Sequence, residues 1–588
     1  NANTTGSENV AIGFESLKKG LTAKGAIGIG YGAGCNNISP CNIYIGWEAG
    51  RFNTEGLGNI AIGAYANHLV TTGGSNVAIG GQSMPTNTIG TNNIALGQNS
   101  GPQSGSDAGE ENMFLGVSTG STNDANYQTI VGNQAGRYVA TGSNNTIVGF
   151  KANRGSSGNT TGAYNTSLGS CANYAITTGG STVAVGYKAN FSNTTAGYNT
   201  AVGSCALYSN TTGTGNLAIG FCSLFASTTS NNNVGVGDQT IRNNTTGCNN
   251  VALGTNALLI NTEGNHNFAV GTETLKCNTC GDYNIGIGTE ALRTNSTGCY
   301  NIGIGVNSLY SNTCGGRNIA IGCHSLYSNT SAYDNVSIGF RALCKNVTGA
   351  ANTALGSSAL CKNTYGCYNT AVGCGAMVNN TTGICNEAFG RNALQGNTEG
   401  HCNVALGNGA LYSNTTGCYN IGVGARAFLS NTTGCYNVGV GVAAGTSTTT
   451  GKCNVAIGMC SNYQNITGGG SVFMGYLAGF YNNAGPNIGI GSSALRFNTR
   501  GCYNTVVGNN SMYCNTTGEY NLGLGYNALF ANTTGGQNVA VGGDASKCNT
   551  TGVLNVAVGV AALHGNKTGH CNVAVGRSAL YCNNGGAG

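Results

Sequence analysis

The sequence predicts an all-β protein, a parallel β-solenoid (β-roll) of about 34 coils with a 17-residue repeat. Three observations predict it. A glycine recurs at Gly13, Gly30, Gly46, Gly63 and Gly80 and onward to Gly559 and Gly576, and from Gly186 to Gly475 its spacing is always 17. Each unit holds a short alternating apolar stretch, the sign of a strand rather than a helix. The composition is extreme: 101 glycines, only 4 prolines, 40% hydrophobic and 7% charged residues. That is too apolar for a disordered tract, and the glycine lacks the every-third-residue period of collagen.

The unit reads Asn-x-Ala-Ile-Gly-x-x-Ala-Leu-x-x-Asn-Thr-Thr-Gly-x-x; residues 403-419 are NVALGNGALYSNTTGCY. Positions 2 and 4, such as Ile302 and Ile304, share one face of a strand, and their apolarity reads as the inward face. Position 3, such as Ala405 or Gly422, then points outward, and its small size reads as a close contact with another surface. Glycine at position 5 suits a corner with positive φ or close backbone approach. Leu at position 9 reads as a second inward strand. Asn-Thr-Thr-Gly at positions 12 to 15 reads as a turn ending on a positive-φ glycine. Two glycine corners in 17 residues leave no room for a helix pair. In-register stacking at about 4.8 Å per coil would make a rod of roughly 160 Å.

The regularity divides one continuous solenoid into four stretches: irregular coils over 1-198, regular ones over 199-442, irregular over 443-480 and regular over 481-588. In the irregular stretches position 9 is often Gly or Asn, as at Gly50, Gly136, Asn173, Gly445, Asn462 and Gly479.

Tens of copies of Asn-x-Ala-Ile-Gly-x-x-Ala resemble the head repeats of trimeric autotransporter adhesins of the YadA-like type. The Asn-Thr-Thr-Gly repeats are similar to those of phage and giant-virus fibre proteins. The resemblance spans the chain. It implies a left-handed roll, homotrimer formation and binding of a host surface. The chain departs from that family in its 17-residue unit and its 26 cysteines.

Stacking places equal positions of adjacent coils within disulfide range of one another. The candidate pairs are Cys205 with Cys222 at position 7, Cys344 with Cys361 at position 10, Cys418 with Cys435 at position 16 and Cys385 with Cys402 at position 17. Free, small apolar thiols are the other reading. Asn-Thr-Thr is also an N-glycosylation sequon. It recurs at Asn193, Asn210, Asn244, Asn380, Asn414, Asn431, Asn515, Asn532 and Asn549, where the other reading is a turn whose amides bond up the stack. Tyrosines form two rows, Tyr300, Tyr368, Tyr419, Tyr436, Tyr503 and Tyr520 at position 17, and Tyr310, Tyr327 and Tyr412 at position 10.

Catalysis finds little footing. The 6 histidines are scattered, no carboxylate pair recurs, and the Gly-x-Gly strings lack a following helix. Cys277 and Cys280 have metal-ligand spacing without a second pair. The expectation is a non-enzyme without cofactor or metal. A net charge of +5 with no basic stripe predicts no nucleic-acid partner. The lack of an 18-residue apolar run predicts no membrane insertion. The expected role is a structural fibre or filament, extracellular or on a cell or virion surface, built by lateral or head-to-tail association of the chain with itself. The alternative is an adhesin or receptor-binding head for a host surface or glycan. Head-to-tail joining rests on the phase match between Asn3-Thr4-Thr5-Gly6 and Asn583-Asn584-Gly585-Gly586.

Overall fold

The computed structural model describes residues 5–103, 109–155 and 160–583. The matched turns at Asn3-Thr4 and at Asn584 to Gly586 lie outside them. The chain is an all-β parallel solenoid with two compact units, Asn1–Thr297 and Gly298–Gly588. The first unit carries β1 (Val10–Ile12) to β17 (Ile285–Ile287), and the second carries β18 (Ile302–Ile304) to β34 (Val573–Val575). Every strand is three residues long and pairs in parallel with the next in its unit. The register is one repeat, as in Val404↔Ile421, Ala405↔Gly422 and Leu406↔Val423.

The faces of the strand are the reverse of the sequence expectation. The middle residue, position 3, is buried in every strand except β1 (Ala61, Ala405 and Ala540 are fully buried), while positions 2 and 4 face outward. A 17-residue coil is narrow, so the inner face of the strand lies close to the opposite wall and only a small side chain fits beside Leu at position 9. A Cβ on Gly422 would lie 3.2 Å from Leu411 Cγ. Period-2 alternation states that the two faces differ, but burial, not hydrophobicity, decides which is inside.

Among the described residues the expected second strand of each coil is also absent. Leu at position 9 is buried, but its backbone is left-handed. In the coil 420-436 the residues Gly424, Arg426, Phe428 and Tyr436 have φ of 124°, 59°, 48° and 60°. A left-handed residue with a side chain costs about 1–2 kcal/mol. The cost is offset because these residues turn their N–H groups along the solenoid axis. Arg426 donates to Asn408 O at 2.9 Å, Phe428 to Ala444 O at 2.8 Å and Tyr436 to Cys418 O at 3.1 Å. Inter-coil bonding thus continues through the corners, where the chain is not extended.

The two glycines of the unit act differently. At position 5 both expected reasons hold: φ is positive, and a Cβ on Gly424 would lie 2.6 Å from Gly441 O in the next coil. At position 15 φ is not positive. Gly417 is required by proximity alone, since a Cβ there would meet Asn414 Oδ1 and Gly434 O, each at 2.4 Å.

The irregular coils obey a volume exchange between positions 3 and 9. Where position 3 is aromatic, at Tyr44, Phe114 and Phe473, position 9 is glycine. A Cβ on Gly50 would lie 2.0 Å from the Tyr44 ring, on Gly120 2.4 Å from Phe114, and on Gly479 2.5 Å from Phe473. Where Phe428 occupies position 9, the glycines Gly439 and Gly445 give way to it. Interiors packed to crystal density require such complementarity.

Candidate assembly face and side-chain ladders

The strands leave one large feature without a partner. Among the 34 strands the outward residue at position 4 is Ile, Val or Leu everywhere except Phe389 and Met474. Position 2 is apolar or Thr everywhere except Glu387, the one charge on the face. Many of these side chains are substantially exposed, including Ile79, Leu115, Leu406, Val440 and Val507. Two such rows running along a unit come to an area on the order of 1,000 Å² or more, where the largest apolar patch of a monomer is roughly 300–600 Å².

Two ladders of buried asparagine line the interior corners. At position 1, Asn403 Oδ1 accepts the Asn420 N–H at 3.0 Å, and Asn403 Nδ2 donates to Gly417 O at 2.8 Å. At position 12, Asn414 Nδ2 donates to Asn397 Oδ1 at 2.8 Å and to Gly417 O at 2.9 Å. The position-12 asparagines are the sequon residues. Asn193, Asn210, Asn244, Asn380, Asn414, Asn431, Asn515, Asn532 and Asn549 are all buried. The Nδ2 atom that a glycan would occupy is a donor inside the coil, so the folded coil has no room for one. Turn chemistry accounts for the pattern.

All 26 cysteines are free thiols in the structure. It nonetheless brings the four expected pairs side by side, in different ways. At position 16, Cys435 Sγ accepts the Cys418 N–H at 3.2 Å, and the Cys418 thiol donates to Thr416 O. That row is one of acceptors: Asn231, Asn265, Asp282 and His401 take the corresponding N–H of the preceding coil. Cysteine serves there as a small acceptor, a role the sequence reading missed. Cys205 lies beside Cys222, whose thiol pKa is raised mainly by burial, and Cys402 lies beside Cys385, raised first by desolvation as well. At position 10 Cys344 and Cys361 lie against each other; that proximity, helped by Arg341 and Lys345, lowers the pKa of Cys344, while the same proximity and burial raise that of Cys361.

The aromatic rows stack as well. Tyr310 and Tyr327 lie 5.0 Å apart, Tyr419 and Tyr436 5.2 Å, and Tyr503 and Tyr520 4.9 Å, all stacked with nearly parallel planes. Tyr300 and Tyr368 are exposed. A longer position-10 ladder, Tyr174, Phe191, Tyr208 and Phe225, has 4.9 to 5.0 Å steps. It is closed by Arg154 at one end and Arg242 at the other. Within each stack the rings turn their faces to each other. Cys277 and Cys280 sit in a turn, and among the described residues no three His, Cys, Asp or Glu side chains converge on a metal-sized site. Among the described residues no helix is long and apolar enough to cross a membrane. Searches against family models and curated proteins found no match to this chain.

Proposed function

We propose that the protein is structural, and that its units associate side by side with copies of the same chain through the outer face of the sheet to build a fibre or filament. The uninterrupted apolarity of position 4 carries this reading. Chance does not keep 34 outward positions free of charge and of hydrogen-bonding groups when the neighbouring turns are polar. The occupant is a second copy because the face is periodic. A partner lying along it must repeat at about 4.8 Å per step, and an identical solenoid does so. Homotrimers and larger bundles both satisfy this geometry. An extracellular or virion-surface site belongs to the same proposal, supported by the resemblance to adhesin heads and fibre repeats.

The test is the double substitution Val423→Lys with Val440→Lys, two neighbours in the outward row. Light scattering coupled to size exclusion should show the native chain as an oligomer or filament and the variant as a smaller species. The circular dichroism should be unchanged, because neither side chain enters the coil. A native chain that stays monomeric at all concentrations would refute the proposal, as would an unchanged variant assembly.

A further inference from the structure

The geometry points to Cys344 and Cys361 as a redox pair that forms a covalent staple between two successive coils when a low-molecular-weight disulfide is present. The pair belongs to the position-10 row, directly after the Tyr310–Tyr327 stack. The 5.0 Å ring spacing there measures how far apart equal side chains of adjacent coils lie. That distance is inside the Cα separation a disulfide spans, roughly 4.4–6.8 Å. The backbone holds register through the site. Ser328 donates to Cys344 O at 3.0 Å, Lys345 to Cys361 O at 2.9 Å and Lys362 to Val378 O at 3.0 Å.

Chemistry separates this pair from the other three. Its thiols face each other across adjacent coils, and Arg341 and Lys345 lie beside Cys344. Two cations beside one thiol favour its thiolate, the nucleophilic form. Cys222 and Cys385 have the opposite bias, raised by burial. Cys418 and Cys435 are engaged with backbone groups. The reaction runs in two steps. The Cys344 thiolate attacks one sulfur of a disulfide R–S–S–R, expelling one R–S⁻ and forming a mixed disulfide. Cys361 loses its proton to solvent and attacks Cys344 Sγ, expelling the second R–S⁻. The two cysteines lose two electrons, and the small disulfide gains them. Position 10 is not on the apolar sheet face, so the staple and self-association are independent.

The test treats the full chain with oxidised glutathione, blocks remaining thiols under denaturing conditions, digests with trypsin and reads the peptides by mass. Cleavage after Arg341, Lys345 and Lys362 puts the two cysteines on separate peptides, 342–345 and 346–362. The expected product is these two peptides linked, with Cys418 and Cys435 blocked as free thiols. In Cys361→Ser the reaction should stop at glutathione attached to Cys344. Blocked, unlinked Cys344 and Cys361 would overturn the inference, as would a link from Cys344 to another chain or a faster link at one of the other pairs. If Cys361→Ser carries no glutathione on Cys344, the assignment of Cys344 as attacking thiol falls.

Discussion

Phe473 and Gly479 provide a quantitative test of the volume exchange. Phe473 is fully buried at position 3, and a Cβ on Gly479 would come within 2.5 Å of its ring. Phe473→Ala alone removes a buried phenyl and should cost about 3–5 kcal/mol locally. Gly479→Leu alone forces overpacking, about 1–3 kcal/mol, and places a side chain on a left-handed residue, about 1–2 kcal/mol more. Together the two changes recreate the ordinary pair of a small position 3 with Leu at position 9, as Leu411 already lies beside Gly422. Only the left-handed cost should then remain, so the double variant should be destabilised by about 1–2 kcal/mol and the coupling should reach about 4 kcal/mol or more. A solenoid opens locally, so one global midpoint is the wrong observable. Amide hydrogen exchange at the rungs Gly479 N–H to Ala494 O and Asn462 N–H to Ala478 O reads the site directly. Additive costs for the two single changes would refute the exchange.

Gly424→Ala should destabilise its coil by about 1–3 kcal/mol or more, because φ is 124° and the new Cβ meets Gly441 O; exchange of the Gly441 amide should accelerate. Asn414→Ala should cost about 1–3 kcal/mol by leaving Asn431 Nδ2 without its 2.7 Å acceptor, and exchange should rise in the two adjoining turns. Gly417→Ala should be as harmful as Gly424→Ala despite its ordinary φ, which distinguishes crowding from backbone strain. Cys361 first, then Arg341 and Lys345, face Cys344 and lower its pKa against the opposing effect of burial. Its alkylation by iodoacetamide should therefore persist as pH falls below the ordinary thiol value, about 8.5. Cys514, raised by burial, should already have become unreactive there; matching pH profiles would contradict this.

The 17-residue period, the parallel in-register stack and the glycine corner at position 5 were legible in the sequence because each repeats at one spacing, and stacking turns a spacing into a contact. The row partners followed as well: Tyr419 stacks on Tyr436 and Cys344 meets Cys361. The sequence by itself therefore determined which residues are neighbours along the axis. It did not determine the direction each side chain faces. Ala405 and Leu406 alternate in either orientation, and hydrophobicity pointed to the wrong one, because a coil this narrow admits only a small position-3 side chain beside a leucine at position 9 and turns the larger apolar residues of the strand out. Nor could spacing show that Leu411 sits on a left-handed corner, or that Asn414 is buried as a ladder rung. Those outcomes depend on the distance across the coil, which closes only when all 17 residues have found their turns.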